Sequence, residues 1–364
     1  MKSSELSDRD FLFPDTSWFD NEPDRYFAMP PFQEFQRITG VDLRSLSSSK
    51  PTLLAESQRR LVSQSLILNE VQKEHGGFTF PFFVYTHCLD LFDAPSSHNV
   101  DADKFILGFN MTDSLRRRHI ALSHSIIPAE IRRLQAGIGK PISIHNLGSG
   151  TGLDVANAVC HLGDSVDKVV NCDTNTKALT FGERIAAHLE RTETIRKGLL
   201  QYRCASMMQS LGKCHLVILI GIICGLPDRI ATLVLRKAHR VLEPGGAIVV
   251  SSSNQNMRSS DPLASFLIQH IGSINSPSKG WGLNFRTEND LRRILDRAGF
   301  RDIRIYDDAS FPGRETAGDD LLMSIDNLPA VAMGKDTSEG PLNLPAKGIL
   351  DKKIGFNWIA VATK

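Results

Sequence analysis

The chain has 364 residues with 42 Lys and Arg against 41 Asp and Glu, a formal charge of +1, so no net field draws the whole protein to nucleic acid or to an anionic membrane. Its 41% hydrophobic and 23% charged residues are those of a folded globular protein, which excludes a disordered chain. The length excludes a disulfide-stapled miniature fold and suffices for two domains.

Residues 1–50 mix aromatics and prolines with a polar tail, as an arm packed on something would. From Thr52 to Val71, apolar residues recur at three- and four-residue steps and predict a helix that stops at His75-Gly76-Gly77. Phe78 to Phe92 is aromatic and broken by Pro81, and Ser114 to Gln135 predicts another helix. This first part, residues 1–137, is expected to form a mainly helical cap on the substrate side. The pattern changes at Pro141. PISIHNL is a short apolar run ending in a glycine-rich turn, and Gly152 to Leu162 reads as a helix. Strands are then expected at 168–173, 199–203, 214–220 and 247–252, with helices at 175–190 and 227–241 between them. Such alternation predicts an α/β domain over residues 138–364 with a parallel sheet covered on both faces. A helix over 286–298, N-capped by Thr287 and ended by Gly299, leads to two late strands at 301–307 and 355–363. Between those strands lies a 309–354 insertion, in which Asp319 to Leu328 is expected to form a helix over the acceptor site.

The six cysteines (Cys88, Cys160, Cys172, Cys204, Cys214, Cys224) are scattered, with no CxxC pair and no zinc-ligand spacing. They read as reduced thiols, and no metal site is expected. The N-terminus lacks an apolar leader, and no apolar run approaches the ~18 residues of a membrane span, so the expected location is cytoplasmic, without a membrane partner.

The chemistry is concentrated after the first strand, in Asn146-Leu147-Gly148-Ser149-Gly150-Thr151-Gly152. Side chains at Gly148, Gly150 or Gly152 would keep a ligand off the backbone, and the following helix aims its N–H groups at that ligand. Asp173 follows Gly152 by 21 residues and closes the second strand, where a carboxylate can accept both hydroxyls of a ribose. The spacing is GxGxG rather than GxGxxG, which disfavours a dinucleotide.

With these motifs the chain resembles the class I S-adenosylmethionine-dependent methyltransferases. VLEPGGAIVVSS (Val241 to Ser252) and FRTENDLRRILDRAGFRDIRIYD resemble the family's helix–Pro-Gly-Gly–strand and final helix–strand segments. The resemblance covers about Pro141 to Asp308 plus the last ten residues. It implies a doubly wound, seven-stranded, mostly parallel Rossmann-like sheet with an antiparallel last strand beside the fifth, S-adenosyl-L-methionine as cofactor, and methyl transfer. It further implies a cofactor site of Asn146, Gly148, Ser149, Gly150, Gly152, Asp173, Thr174, Ser206, Met207, Ile220 and Gly221. The chain departs from the family where acids are usual, at Asn146, at His215 and after the third strand, where Ser206 and Met207 remain to meet the adenine.

Arg116-Arg117-Arg118-His119 is the densest basic run and reads either as a solvated helix face or as the source of an arginine, Arg116, that grips the carboxylate of the cofactor. The acceptor pocket is expected from Tyr85, His87, Asn254 and Trp281, with Asn256 and Asn284 nearby. No catalytic residue is assigned, because methyl transfer from a sulfonium rests largely on positioning. No Asn-Pro-Pro-Tyr-like element follows the fourth strand, and with the neutral charge this favours a small-molecule acceptor over nucleic acid. Three alternatives stay open: aminocarboxypropyl transfer from the same cofactor, a protein acceptor, and a non-catalytic module with a vestigial pocket. The sequence leaves the oligomeric state undetermined.

Overall fold

The computed structural model describes residues 22–40, 63–74, 80, 84–85, 96–160, 162–267, 283–312 and 354–364. Apolar runs of the expected lengths form seven strands: β1 (Ile142–Leu147), β2 (Val166–Asp173), β3 (Leu200–Cys204), β4 (Cys214–Leu219), β5 (Leu242–Ser253), β6 (Arg301–Asp307) and β7 (Asn357–Thr363). They join in one sheet of order β3-β2-β1-β4-β5-β7-β6. The first five are parallel neighbours, and β7 runs antiparallel between β5 and β6. Both the alternation of elements and the inserted last strand are as expected from the sequence. The strand β5 begins earlier than read, because Leu242 pairs with Cys214 before the Glu243–Gly246 irregularity.

Among the described residues, seven helices come before β2: α1 (Pro23–Phe27), α2 (Pro30–Thr39), α3 (Leu66–Glu74), α4 (Val100–Leu107), α5 (Asn110–Ile120), α6 (Ile127–Ile138) and α7 (Leu153–Val159). The helix read over 114–135 is α5, a six-residue π-helical segment Ala121–Ile126 and α6 in unbroken succession, with Pro128 at the change from π to α hydrogen bonding. Further along come α8 (Thr176–Arg191), α9 (Asp228–Val241), α10 (Asn256–Ser260) and α11 (Glu288–Ala298). Thr287 caps α11 as its sequence predicts, in a reciprocal capping box with Asp290, and Gly299 ends it at φ 100°.

One face of the sheet packs Ile142, Ile144, Val169 and Leu216 against Ile131 of α6, Val155 of α7 and Ile185 of α8. The other packs Val217, Ile248 and Val250 against Leu235 of α9 and Leu291 and Ile294 of α11. A third core belongs to the N-terminal helices: Phe27, Phe32, Phe35, Leu66 and Ile106 close on Met257, Leu263 and Phe266, which follow β5. Buried Asp103 knits these helices together by accepting from Ser65 Oγ (2.6 Å) and from the backbone N–H groups of Leu66 and Ile67. The described N-terminal helices are thereby seated on the residues that follow the carboxyl end of β5.

Candidate functional site

The turn between β1 and α7 is built by three left-handed glycines, Gly148 (φ 62°), Gly150 (φ 54°) and Gly152 (φ 73°). L-residues avoid this region, and space forbids a side chain as well. A Cβ on Gly148 would lie 2.4 Å from Ile222 Cδ1, and one on Gly152 would lie 2.6 Å from Asn171 Oδ1. The turn folds onto the end of β2: Gly150 N–H donates to Asp173 Oδ2 (2.8 Å), Asn175 N–H donates to Asp173 Oδ1 (2.9 Å), and Ser149 N–H donates to the Cys172 carbonyl. Two backbone donors thus orient the half-buried carboxylate, and each oxygen keeps a lone pair for a further donor such as a ribose hydroxyl. Thr174, next in the chain, is exposed.

Beneath the turn, Asn146 stands where the family has an acid. It is buried and donates from Nδ2 to Asn171 Oδ1 (2.9 Å), its register partner on β2, so a neutral amide pair replaces the charge. Asn171 Nδ2 is buried without a hydrogen-bond partner. His215, the other departure, lies at the amino-terminal start of β4, where its Nδ1 meets Ser143 N and Oγ. That is the opposite end of the strand from the glycine turn, so this substitution does not bear on the site. Burial and the nearby Lys168 and Arg203 push His145, between Ile144 and Asn146 in β1, down to about 4, and its Nδ1 has no partner.

Across the edge, Met207 is half-buried on the core that includes Leu147, with its Cε 3.9 Å from the Gly148 Cβ position, while Ser206 is exposed and its Oγ accepts from Met208 N–H. Past the end of β4, half-buried Ile220 precedes Gly221 (φ 71°), whose N–H donates to Ser251 Oγ. A cradle without side chains, with an oriented carboxylate beside it and a methionine at one wall, leaves backbone and one anion to face a ligand at this edge.

The basic run is not a solvated face. Arg116, Arg117, Arg118 and His119 are 1%, 0%, 7% and 0% exposed. Arg117 pairs with Asp308 (2.8 Å), itself fully buried and holding Ser114 Oγ and the N–H groups of Phe356 and Asn357. His119 pairs through Nδ1 with Asp154 of α7, and its Nε2 meets Asn157 (3.1 Å), so both ring nitrogens are engaged. Arg116 is buried, and the guanidinium that reaches the end of β4 is Arg118's: a Cβ on Gly221 would lie 4.0 Å from its Nη2. Arg118 also donates to Asn357 Oδ1 (3.1 Å) and, at 3.4 Å, to the hydroxyl of Tyr85. Tyr85 packs on the His119 ring (4.6 Å between centroids), and burial pushes its phenol up to about 12, so it stays protonated.

Asn254, expected at the acceptor, instead has both polar atoms engaged: Oδ1 accepts from Asn256 N–H and Nδ2 donates to the Gly355 carbonyl. This is buried turn chemistry that ties β5 to the approach to β7. Asn284 likewise donates to the Cys224 carbonyl. His87, Trp281 and the expected helix 319–328 lie outside the described residues.

Several residues of this edge were missed by reading the sequence. Arg286, 2% exposed, pairs with Asp228 and donates to the carbonyls of Ile223 and Leu226 and to Ser252 Oγ, fixing the loop after β4 against the end of β5. Asp308, Asn357 and Asp154 carry no local motif. One signal was available for Arg118: positions 114 and 122 are Ser and Leu, so it has no acid four residues away with which a solvated helix would pair it. Among the described residues no group of three or more His, Cys, Asp and Glu could hold a metal ion, and no helix is long and apolar enough to cross a membrane.

No protein-family model matches the sequence, and no curated protein resembles it closely enough to be matched. Solved structures do match. A Bordetella parapertussis protein thought to be exported aligns over 94% of this chain and 98% of its own at 15% identity, with a TM-score of 0.53. A Nostoc punctiforme protein assigned as an O-methyltransferase aligns over 70% of this chain at 13% identity (TM-score 0.41), and human N-acetylserotonin methyltransferase, solved with S-adenosylmethionine, over 72% at 14% identity (TM-score 0.38). The alignments span 60% and 58% of the lengths of these two methyltransferases. Strand order, the antiparallel seventh strand and the glycine turn together give this chain the fold of the class I S-adenosylmethionine-dependent methyltransferases, in a subfamily not identified.

Proposed function

We propose that the protein is a cytoplasmic methyltransferase that uses S-adenosyl-L-methionine to methylate a small-molecule acceptor, without a nucleic-acid or membrane partner. The observation that carries this reading is the glycine turn closed on Asp173 at the carboxyl ends of β1 and β2. Within it, Gly148, Ser149, Gly150 and Gly152 would bear the cofactor through backbone, Asp173 would accept the ribose hydroxyls, Met207 would pack on the base, and Gly221 would leave room for the amino-acid arm at β4. The cofactor supplies an electrophilic methyl group on a sulfonium. What the chain contributes is placement: a rigid sheet edge on one side, the buried Tyr85 on the other, and a cap that keeps water from the transfer.

The test is calorimetric titration with S-adenosylmethionine and S-adenosylhomocysteine beside Asp173→Ala. Binding by the wild type, weakened roughly a hundred-fold in the variant, is expected from loss of two charge-assisted hydrogen bonds. No binding by the wild type would overturn the reading. Because Asn146 replaces the family's acid, product analysis belongs with it: S-adenosylhomocysteine marks methyl transfer, and methylthioadenosine would mark aminocarboxypropyl transfer instead.

A further inference from the structure

A concave surface lies away from the strand edge, where the N-terminal helices meet the chain that follows β5. It is a cavity of about 400 Å³, a volume in the range that takes small molecules. Its apolar walls are Met29 and Pro31 at the start of α2, Phe105 and Phe109 around the end of α4, and Pro262 and Leu263 after α10. The rings are held in place by one another: Phe105 stands edge-on to Phe109 (5.3 Å between centroids) and tilted against Phe35 (5.8 Å), so the wall exists before a ligand arrives. Asp261, the acid in the wall, is buried and accepts from the N–H groups of Met111 and Ala264, whereas Lys104 stands exposed at the rim.

Gly108 keeps this space clear. It caps α4 at φ −78° and ψ −2°, a right-handed conformation that L-residues adopt, and a Cβ there would meet only the carbonyl oxygens of Lys104 and Phe105, each at 3.4 Å. Neither backbone nor packing therefore calls for glycine at this position, and glycine costs conformational entropy on folding. What the missing side chain leaves open is the cavity, which Gly108 lines.

We propose that this cavity is a binding site for an aromatic carboxylate, with its ring on Met29, Phe105 and Phe109 and its anion toward Lys104. Phenylalanine edges and a methionine sulfur favour a ring, and a cation at the rim favours a negative group. The site is separate from the strand edge. Asn110 at the cavity and Arg118 at the end of β4 are eight residues apart on α5, roughly 12 Å at about 1.5 Å per residue. It is therefore assigned independently of methyl transfer and gives no role to the cofactor or its acceptor.

The experiment titrates naphthoate and its neutral amide, naphthamide, onto the full chain by calorimetry, comparing wild type, Gly108→Leu and Lys104→Gln. The wild type should bind both probes, the acid tighter by about two- to five-fold, as an exposed charge pair gives. Gly108→Leu places a side chain in the cavity and should weaken both probes by about ten-fold or more. Lys104→Gln should bind acid and amide alike. Circular dichroism checks that each variant is folded; if Gly108→Leu is not, the exposed substitution Lys104→Gln carries the comparison. Three results would overturn the proposal: no binding of either probe by the wild type, unchanged naphthoate affinity in folded Gly108→Leu, which would put the probe elsewhere on the chain, the strand edge included, or an acid preference that is absent from the wild type or survives in Lys104→Gln.

Discussion

The two halves of the strand edge are built on opposite principles. Over β1 and β2 the surface is backbone: three left-handed glycines and two N–H groups hold one carboxylate, and its two backbone partners lie within 23 residues of it in the chain. Over β4 and β7 it is side chain: Arg117, Arg118 and Ser114 meet Asp308 and Asn357 across sequence separations of 191, 239 and 194 residues. The first half is assembled by the strand–turn–helix unit itself. The second exists only once the helices before β1 meet the segment around β7, because Arg117 and Arg118 find their partners near the far end of the chain.

This contrast can be broken deliberately. Asp308→Asn keeps size but leaves Arg117 buried without its counter-ion, and about 3 to 5 kcal/mol of stability should be lost in urea unfolding. Because the glycine turn does not use Asp308, residual folded protein at low urea should still bind S-adenosylhomocysteine; equal loss of both would mean that the two halves are not separable. Gly152→Ala attacks the other side, placing a Cβ 2.6 Å from Asn171 Oδ1 in a left-handed conformation. A loss of about 2 to 3 kcal/mol is expected, accompanied by loss of nucleoside binding even in protein that remains folded. Should binding survive, the turn would not be the cradle.

The smallest effect concerns pH. Burial holds the His145 imidazole neutral in the folded chain down to about 4, whereas the unfolded chain takes up a proton below the ordinary 6.5. Between those values the unfolded state binds more protons, so its contribution to stability is complete above pH 6.5 and falls by roughly 2 kcal/mol on going from pH 7 to 4.5. His145→Leu should flatten that part of the stability curve relative to wild type. An unchanged slope would show that the ring is not held neutral.

Much of the β1–β2 half of the edge was legible in advance. Apolar runs and their alternation with helices marked the strands, Thr287 and Gly299 marked the ends of α11, and the spacing from Gly152 to Asp173 located the turn and its acid. These signals are local: a positive φ, a capping hydroxyl and an apolar strand each depend on a few neighbouring residues. The Arg116–His119 run was ambiguous for the opposite reason. A charge cluster looks the same whether water or a distant acid satisfies it, and Asp308 carries no mark of belonging to Arg117. Asn254 misled similarly, since an amide after a strand can serve a ligand or its own turn, and the Gly355 carbonyl that settled the matter lies 101 residues away.

The sequence by itself thus determined the sheet, its helices and the backbone cradle after β1, because those follow from steric limits and periodicities that act within a dozen residues. Only the tertiary structure decided that four consecutive basic side chains are buried, that Arg118 rather than Arg116 reaches the end of β4, and that Arg286 fastens the loop beside it. Buried charges take their meaning from partners that the chain brings together only on folding, and no spacing along the sequence encodes that meeting.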